Sequence, residues 1–273
     1  MNQQGRVYRT QGVVLSRHDY GEADRILTVF TPELGKQQLI AKGIRKTTSR
    51  KAGHLETFTH TSLLVAQART WPIITEAASL ESYRHLRENL DAIGFASTIC
   101  ELVDHFSEAD DDNRLLWDLL LLALRVLDQY SYHQSGADQS CPASASCDPN
   151  LFLHWFELQL LAITGFQPQF FYCLHCHAEI TPVTNYLSLE DGGVFCPRCS
   201  TGREAVEAIE PDVLKILRHL QRTPWAELQS LKVRPALQGA VDNLLHRYLL
   251  TIVERQLKSV HFLRKLRTQM KPG

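Results

Sequence analysis

Residues 24–42 read Asp24-Arg-Ile-Leu-Thr-Val-Phe-Thr-Pro-Glu-Leu-Gly-Lys-Gln-Gln-Leu-Ile-Ala-Lys42. The first part, Asp24–Phe30, carries Ile26, Thr28, Val29 and Phe30, the β-branched and aromatic types that suit a strand. Pro32 and a Glu-Leu-Gly turn then lead into a second strand over Gln37–Lys42. The same short-strand reading extends on both sides. Arg6–Arg17 is rich in Val, Leu and Tyr, Leu55–Ala66 is Thr-rich and partly alternating, and Thr70–Ala77 contains Trp71, Ile73 and Ile74. Pro72 has no N–H to give, which predicts that this last run begins at an edge. Five short strands with Gly-bearing turns fit a small closed or partly closed barrel of the OB type over residues 1–80, with an SH3-like barrel as the main competitor.

Inside this region, residues 34–55 hold six basic side chains and no acid: Lys36, Lys42, Arg45, Lys46, Arg50 and Lys51. They sit among Gly, Ser and Thr, which reads as a mobile loop and not as a helix face. Such a loop is suited to a polyanion backbone, because phosphate contacts do not need a shaped pocket. The plainer alternative is a solvated surface loop.

From about Leu80 the apolar period changes to that of helices. Leu86, Leu90, Ile93, Ala96 and Cys100 recur at helical spacing. Asp110-Asp111-Asp112-Asn113 offers acid and a cap to a second helix, Arg114–Tyr130, whose many leucines predict burial on most faces. Residues 131–150 are poor in hydrophobic side chains and read as a flexible connector. A third helix, about 150–164, ends at Gly165. Pro211 opens another over Asp212–Gln221, and a long amphipathic helix runs from about Pro235 to Leu266. The expected fold is therefore α+β: a five-stranded OB-type barrel followed by an all-helical domain that carries a four-cysteine zinc-ribbon insert. Residues 1–80 form the barrel, 81–170 the first helical part, 171–202 the insert, and 203–273 the closing helices.

The insert rests on Cys173-Leu-His-Cys176 and Cys196-Pro-Arg-Cys199, two CxxC knuckles 19 residues apart. Each two-residue gap turns a pair of thiolates toward one point, and two such knuckles build a closed tetrahedral site of the kind zinc prefers. The stretch between them resembles a hairpin with its turn at Gly192-Gly193. Redox CxxC motifs would need a strand–helix setting that neither knuckle shows. Four thiolates fill the shell, so one structural zinc ion per chain is expected, with His175 and His177 as conceivable substitutes. Cys141 and Cys147 read as bystanders in the connector, and Cys100 as a core residue.

The net charge of −1 conceals strong asymmetry. Residues 1–80 hold 11 bases and 6 acids, residues 81–150 hold 4 and 13, residues 151–202 hold 1 and 4, and residues 203–273 hold 13 and 7. Basic ends flanking an acidic middle suggest a polyanion-binding surface and a region kept off it. No apolar run reaches the roughly 18 residues needed to span a bilayer. The first residues lack the pattern of a secretory signal, and seven cysteines without such a signal point to a reducing cytoplasm. There is no P-loop, GxSxG elbow, HExxH or strand-following GxGxxG. Asp110–Asp112 reads as capping and solvation more readily than as a two-metal nuclease site. The chain is thus expected not to be an enzyme.

The run Tyr20-Gly-Glu-Ala-Asp-Arg-Ile-Leu-Thr-Val-Phe-Thr-Pro-Glu-Leu-Gly-Lys36, with Ala41-Lys-Gly-Ile-Arg-Lys-Thr-Thr-Ser-Arg-Lys51 after it, resembles the N-terminal signature of the bacterial RecO family of recombination mediators. The resemblance covers nearly the whole chain, although the 131–150 spacer is longer than the family pattern. It implies an OB-fold that binds single- and double-stranded DNA and anneals complementary strands. It further implies binding of the C-terminal tail of single-strand-binding protein and, with RecR, loading of RecA. A nucleoid-associated, cytoplasmic repair role follows. The DNA contacts it implies are Arg25, Lys36, Lys42, Arg45, Lys46, Arg50 and Lys51. An acidic tail needs a basic groove with an apolar floor, for which Arg255 and Lys258 are the candidates. The alternative is a zinc-ribbon transcription or translation accessory factor with an OB-fold, which would leave the Tyr20–Lys51 match and the long helical region unexplained.

Overall fold

The computed structural model describes residues 7–134 and 148–269, with side chains as far as residue 254. Its contacts divide the chain into two compact units, Met1–Pro149 and Asn150–Gly273. Among the described residues no helix is long and apolar enough to cross a membrane.

In the first unit, strands β1 (Val7–Tyr20), β2 (Asp24–Thr31), β3 (Gly35–Ala41), β4 (His60–Ala66) and β5 (Ile73–Glu81) close into a barrel in the order β1-β2-β3-β5-β4. All neighbours are antiparallel except β3 and β5, which meet in parallel at Ile40 and Ile73. This is an OB-type barrel. Closure is possible because the long β1 serves two partners: Val7–Val13 lies against β4, and Val13–Tyr20 against β2. The register shifts between Val14 and Ser16, a bulge that bends the strand. Gly12 marks a close approach of β1 to β2, since a Cβ there would fall 2.4 Å from Val29 Cγ1.

Alternate residues of β2, β3 and β4 point inward, and Leu27, Val29, Leu39, Leu63 and Val65 make the core with Val14 and Ile74. Ile44 and Leu55 complete it from the β3–β4 connection. That basic connection was expected to be mobile, but it is tied at both ends by these two buried side chains. A 3₁₀ turn at Ala52–His54 and the bonds Lys46 N–H to Gly43 O (3.2 Å) and Ser49 N–H to Lys46 O (2.9 Å) order it further. Nor does β5 begin at an edge. It is paired on both sides, and Pro72 lies just ahead of it, where its carbonyl accepts the Ile40 N–H (2.9 Å) and its missing donor costs no ladder bond.

Strand β2 is buried continuously from Leu27 to Thr31, so both of its faces are covered. The outer cover comes from α2 (Leu90–Phe106) and α3 (Arg114–Gln134), on which α1 (Arg84–Glu88) packs, with the Trp117 ring 6.2 Å from Phe30 and 5.3 Å from His60. Residues 84–134 therefore fall in the barrel's unit. Asn113 caps α3 by accepting the Leu116 N–H at 3.0 Å. Leu115 and Leu122 stay exposed, so the leucine-rich helix buries one broad face and not most of its surface.

The α2–α3 connection is bolted to the β2–β3 turn. Lys36 N–H donates to Glu108 O and Asp110 N–H to Leu34 O, both at 2.9 Å. Gly35 sits between them at φ +58°, and a Cβ there would lie 2.3 Å from Glu108 O and 2.8 Å from Asp111 O.

The second unit opens with α4 (Pro149–Ile163), which Gly165 ends at φ +82°. A three-stranded sheet follows, in the order β7 (Gly193–Phe195), β6 (Asn185–Ser188), β8 (Glu207–Ile209). The hairpin between the cysteine pairs is present, and β8 adds a third strand that sequence pattern had not suggested. Helices α5 (Pro197–Ser200), α6 (Pro211–Arg222), α7 (Trp225–Leu228) and α8 (Pro235–Gln269) complete the unit. Phe152, Trp155 and Trp225 cluster in its core, with ring centroids 4.8–5.9 Å apart.

Gly35→Ala is expected to destabilise the first unit by about 1–3 kcal/mol, because it adds strain at positive φ and pushes two backbone carbonyls apart. Urea unfolding followed by circular dichroism measures this, and an unchanged midpoint would contradict the packing described.

Candidate nucleic-acid interface and metal centre

The seven cations of the sequence reading do not form one patch. Lys36 is the second residue of β3, and its ammonium pairs with Asp104 Oδ1 at 3.1 Å while also donating to the Asp104 carbonyl. Lys42 follows the far end of the same strand, about 20 Å away at ~3.3 Å per residue. Lys51 is half-buried and donates to Ile74 O at 2.8 Å, and burial holds its ammonium below the usual lysine range. Arg25 lies on β2 with its guanidinium 2.8 Å from Asp19 Oδ1 and 3.8 Å from Glu56. Arg45 shares Asp19 at 3.4 Å. The hydrogen bond from Arg25, with help from the Arg45 charge, holds the Asp19 carboxyl below its ordinary value.

Lys42, Lys46 and Arg50 are exposed and make no ion pair or side-chain hydrogen bond among the described residues. They sit on the β3–β4 connection, whose first part is fastened to the β1–β2 turn. Gly43 N–H donates to Asp24 Oδ1 at 2.7 Å, and Arg45 N–H to Ala23 O at 3.0 Å. One end of the barrel thus presents free positive charge, while the opposite end is occupied by the acidic α2–α3 connection.

At the cationic end stands an aromatic pair that sequence reasoning missed. Tyr20, the last residue of β1, and Trp71, two residues before β5, meet with ring centroids 5.3 Å apart and planes at 78°. Tyr20 is 45% exposed. The pair bridges the β1–β2 and β4–β5 connections, the loops that flank the ligand face of OB-type barrels. The available signal was a tryptophan at the end of the polar run Gln67-Ala-Arg-Thr70.

In the second unit the four knuckle cysteines come together, their sulfurs all within 4.8 Å of one another. Cys176 and Cys196 sulfurs are 4.0 Å apart, and a tetrahedral ion with bonds of ~2.3 Å to sulfur has S···S edges of about 3.8 Å. The first knuckle turns through His177 N–H to Cys173 O (2.9 Å), the second through Cys199 N–H to Cys196 O (3.0 Å). Burial would raise the Cys173 thiol, but backbone N–H groups of Cys176, Cys196 and His175 outweigh it and bring the thiol down to about 6. Cys199 is pushed up to about 12, chiefly by its hydrogen bond with Cys196. Four thiolates this close repel one another, and a divalent cation is what makes the fully ionised set favourable. The residues fit a closed four-sulfur metal site and are compatible with zinc. His175 Nδ1 lies 3.7 Å from Cys199 Sγ, beside the set.

The knuckles are joined to the helices by Arg218 of α6, which donates to Phe170 O (2.9 and 2.7 Å) and Ile180 O (3.2 Å). Nearby is a groove of about 660 Å³ lined by the apolar Phe171, Ile216, Leu231 and Leu237, by the cations Lys215, Arg218, Arg222 and Arg234, and by the acids Glu179 and Asp212. The Arg222 guanidinium sits 3.5 Å over the Phe171 ring. Arg255 and Lys258 lie on α8 outside the residues whose side chains are described, and Cys141 and Cys147 lie outside the described residues altogether.

An OB-type barrel with a cationic rim, followed by a helical unit built around paired cysteine knuckles, defines a class of two-unit proteins with a four-sulfur site. Comparison with known families identifies the member. Residues 4–83 match the family described as recombination protein O N terminal, and residues 143–261 match recombination protein O C terminal. A DNA repair protein RecO of Roseiflexus sp. (strain RS-1) is 37% identical over 97% of this chain and 88% of its own. Proteins of the same name from Dehalococcoides mccartyi and Pelotomaculum thermopropionicum are each 31% identical, over 95% and 94% of this chain and 96% and 94% of their own. The chain belongs to the RecO family.

If the four sulfurs hold a metal ion, Cys176→Ser is expected to abolish its binding and to destabilise the second unit by on the order of several kcal/mol, because metal binding and local folding are coupled. Metal content by elemental analysis, read beside thermal unfolding, tests this. Retention of a full equivalent of metal in the variant would show that Cys176 is not a ligand.

Proposed function

We propose that the protein is a recombination mediator that works by binding alone: it holds DNA on the barrel, brings complementary strands together and, with RecR, helps load RecA on DNA coated by single-strand-binding protein. The observation that carries this reading is the unpaired cationic rim of Lys42, Lys46 and Arg50 on a closed OB-type barrel. Annealing requires that the repulsion between two phosphate backbones be neutralised, and exposed lysines and arginines without protein partners supply that charge. Because the contacts are to backbone, both single strands and duplexes are substrates and base sequence matters little. In this reading Arg45 and Arg25 assist at the edge of the rim, while Lys36 and Lys51 hold the fold. Family membership supports a role in DNA repair in the nucleoid. No covalent step is needed.

The metal of the knuckles is zinc in this proposal, one structural ion per chain. The tail of the single-strand-binding protein, acidic with apolar side chains, suits the groove beside Phe171. Lys215 and Arg222 supply charge there, whereas Arg234 is partly neutralised by Asp212 at 3.2 Å.

Two measurements test these assignments. Lys42→Glu/Lys46→Glu/Arg50→Glu should slow annealing of complementary oligonucleotides and flatten the log–log salt dependence of single-strand binding by about 2, at ~0.7 per lost contact. Lys36→Gln should leave that slope unchanged and lower stability instead. An unaltered slope in the triple variant, with its fold intact, would place DNA elsewhere. For the tail, Lys215→Glu/Arg222→Glu should weaken an acidic C-terminal peptide about tenfold or more in a titration that leaves naked-DNA binding intact. Loss on Arg255→Glu/Lys258→Glu alone would move the groove to α8.

A further inference from the structure

We propose that Tyr20 and Trp71 form a stacking platform for unpaired bases, which makes the barrel rim favour single strands over duplex and release them once they pair. The inference rests on the reading of the barrel as the DNA-binding unit and adds to it a source of strand discrimination that backbone contacts cannot supply.

Several observations converge on the pair. Its rings stand nearly perpendicular at 5.3 Å, so each keeps a face that the other does not cover. Tyr20 is among the exposed large side chains, and Trp71 is partly exposed beside it. The pair lies where the β1–β2 and β4–β5 connections approach each other, and phosphate-binding charge surrounds it. Arg45 Nη1 reaches Gly21 O, next to Tyr20, at 3.4 Å. Lys42 follows Ala41, whose neighbour Ile40 is bonded to Pro72, next to Trp71. Arg69 is exposed two residues before Trp71. The acids nearby are Asp19, which Arg25 and Arg45 already hold, Asp24, which lies across from Tyr20 and accepts the Gly43 N–H, and Glu22 at the tip of the β1–β2 turn. Cations that follow a backbone together with aromatic faces are what sequence-tolerant single-strand binding requires.

Discrimination follows from geometry. In a duplex each base is stacked within its own strand and offers the protein only its groove edge. An unpaired base can turn its face to an aromatic ring. The platform therefore adds affinity for single strands alone, and that increment vanishes when a held base finds its complement. The cations keep the new duplex only through the backbone, so the product leaves more easily than the reactants.

The chain reports on this contact directly. Of its four tryptophans, Trp117, Trp155 and Trp225 are buried, which leaves Trp71 as the one accessible to a ligand. Saturating the full-length protein with an oligothymidine should quench tryptophan fluorescence, and a blunt hairpin duplex should not. Trp71→Phe should abolish the quench while single-strand affinity, read by anisotropy of a labelled oligonucleotide, stays within about twofold. Tyr20→Leu/Trp71→Leu, which keeps apolar cover over the two loops, should lose roughly tenfold in single-strand affinity, with duplex affinity and salt slope unchanged. Binding without quench in the unmodified protein, or equal losses on both kinds of DNA in the leucine variant, would overturn the platform. Failure of the unmodified protein to bind either DNA would instead overturn the barrel as the DNA-binding unit.

Discussion

Val13 is paired twice, to Phe30 on one side and to His60 on the other, and the first unit is organised by that double engagement. A strand can turn from one neighbour to the next only if its backbone bends, and the bend needs both the bulge after Val14 and the absence of a side chain at Gly12, where Val29 leaves no room. Once β1 serves both partners, the sheet has no free edge to template association with another chain. Closure also sorts the connections. The β1–β2 and β4–β5 turns and the start of the β3–β4 connection gather at one end, and the β2–β3 turn is left at the other. The placement of charge and aromatic surface then follows from which residues those turns contain.

The acidic middle of the chain acts on that arrangement locally. Glu108, Asp110 and Asp111 lie on the β2–β3 turn, and Asp104 takes up the Lys36 ammonium. Exposed ion pairs of this kind contribute little stability, about 0.2–1 kcal/mol. Their larger effect is on the field. They remove one cation from the basic surface and set negative charge at the end of the barrel opposite Lys42, Lys46 and Arg50. Over about 20 Å, roughly two Debye lengths at 0.1 M salt, their repulsion toward a phosphate at the rim is screened. A backbone that strays toward the β2–β3 turn meets it in full. Polarity along the barrel axis therefore makes the rim the electrostatically more favourable end for a polyanion.

The second unit meets a different constraint. Strands of three or four residues do not make an independently stable sheet, and β6, β7 and β8 are no longer than that. Two features compensate. The knuckles converge their four sulfurs on one point, where a bound cation would replace the hydrophobic core that so short a sheet cannot supply. Arg218 then anchors the sheet's surroundings to α6 through the Phe170 and Ile180 carbonyls, bonds that a lysine's single ammonium would not reproduce in the same geometry. The same helix carries Lys215 and Arg222 to the groove, so the anchor and the groove share one scaffold.

What the sequence made legible was whatever is decided within a few residues. The strand composition of β2 and β3 with the Glu-Leu-Gly turn between them, the Asn113 cap and the CxxC spacing are local, and each appears where its pattern put it. Continuous burial of Leu27–Thr31 was not read from the sequence, because the cover that α2 and α3 lay over the outer face of β2 comes from residues far along the chain. Nor was the state of each cation, because it too depends on distant partners. Lys36 meets Asp104, Lys51 meets the Ile74 carbonyl, and Arg25 meets Asp19 and Glu56, and no count of charge in residues 34–55 contains those encounters. One part could still have been found. A strand rises ~3.3 Å per residue, so Lys36 and Lys42, at the two ends of β3, could never have contacted the same few phosphates. The basic run is contiguous in sequence and divided in space, and the division follows from the strand reading that the same residues supported.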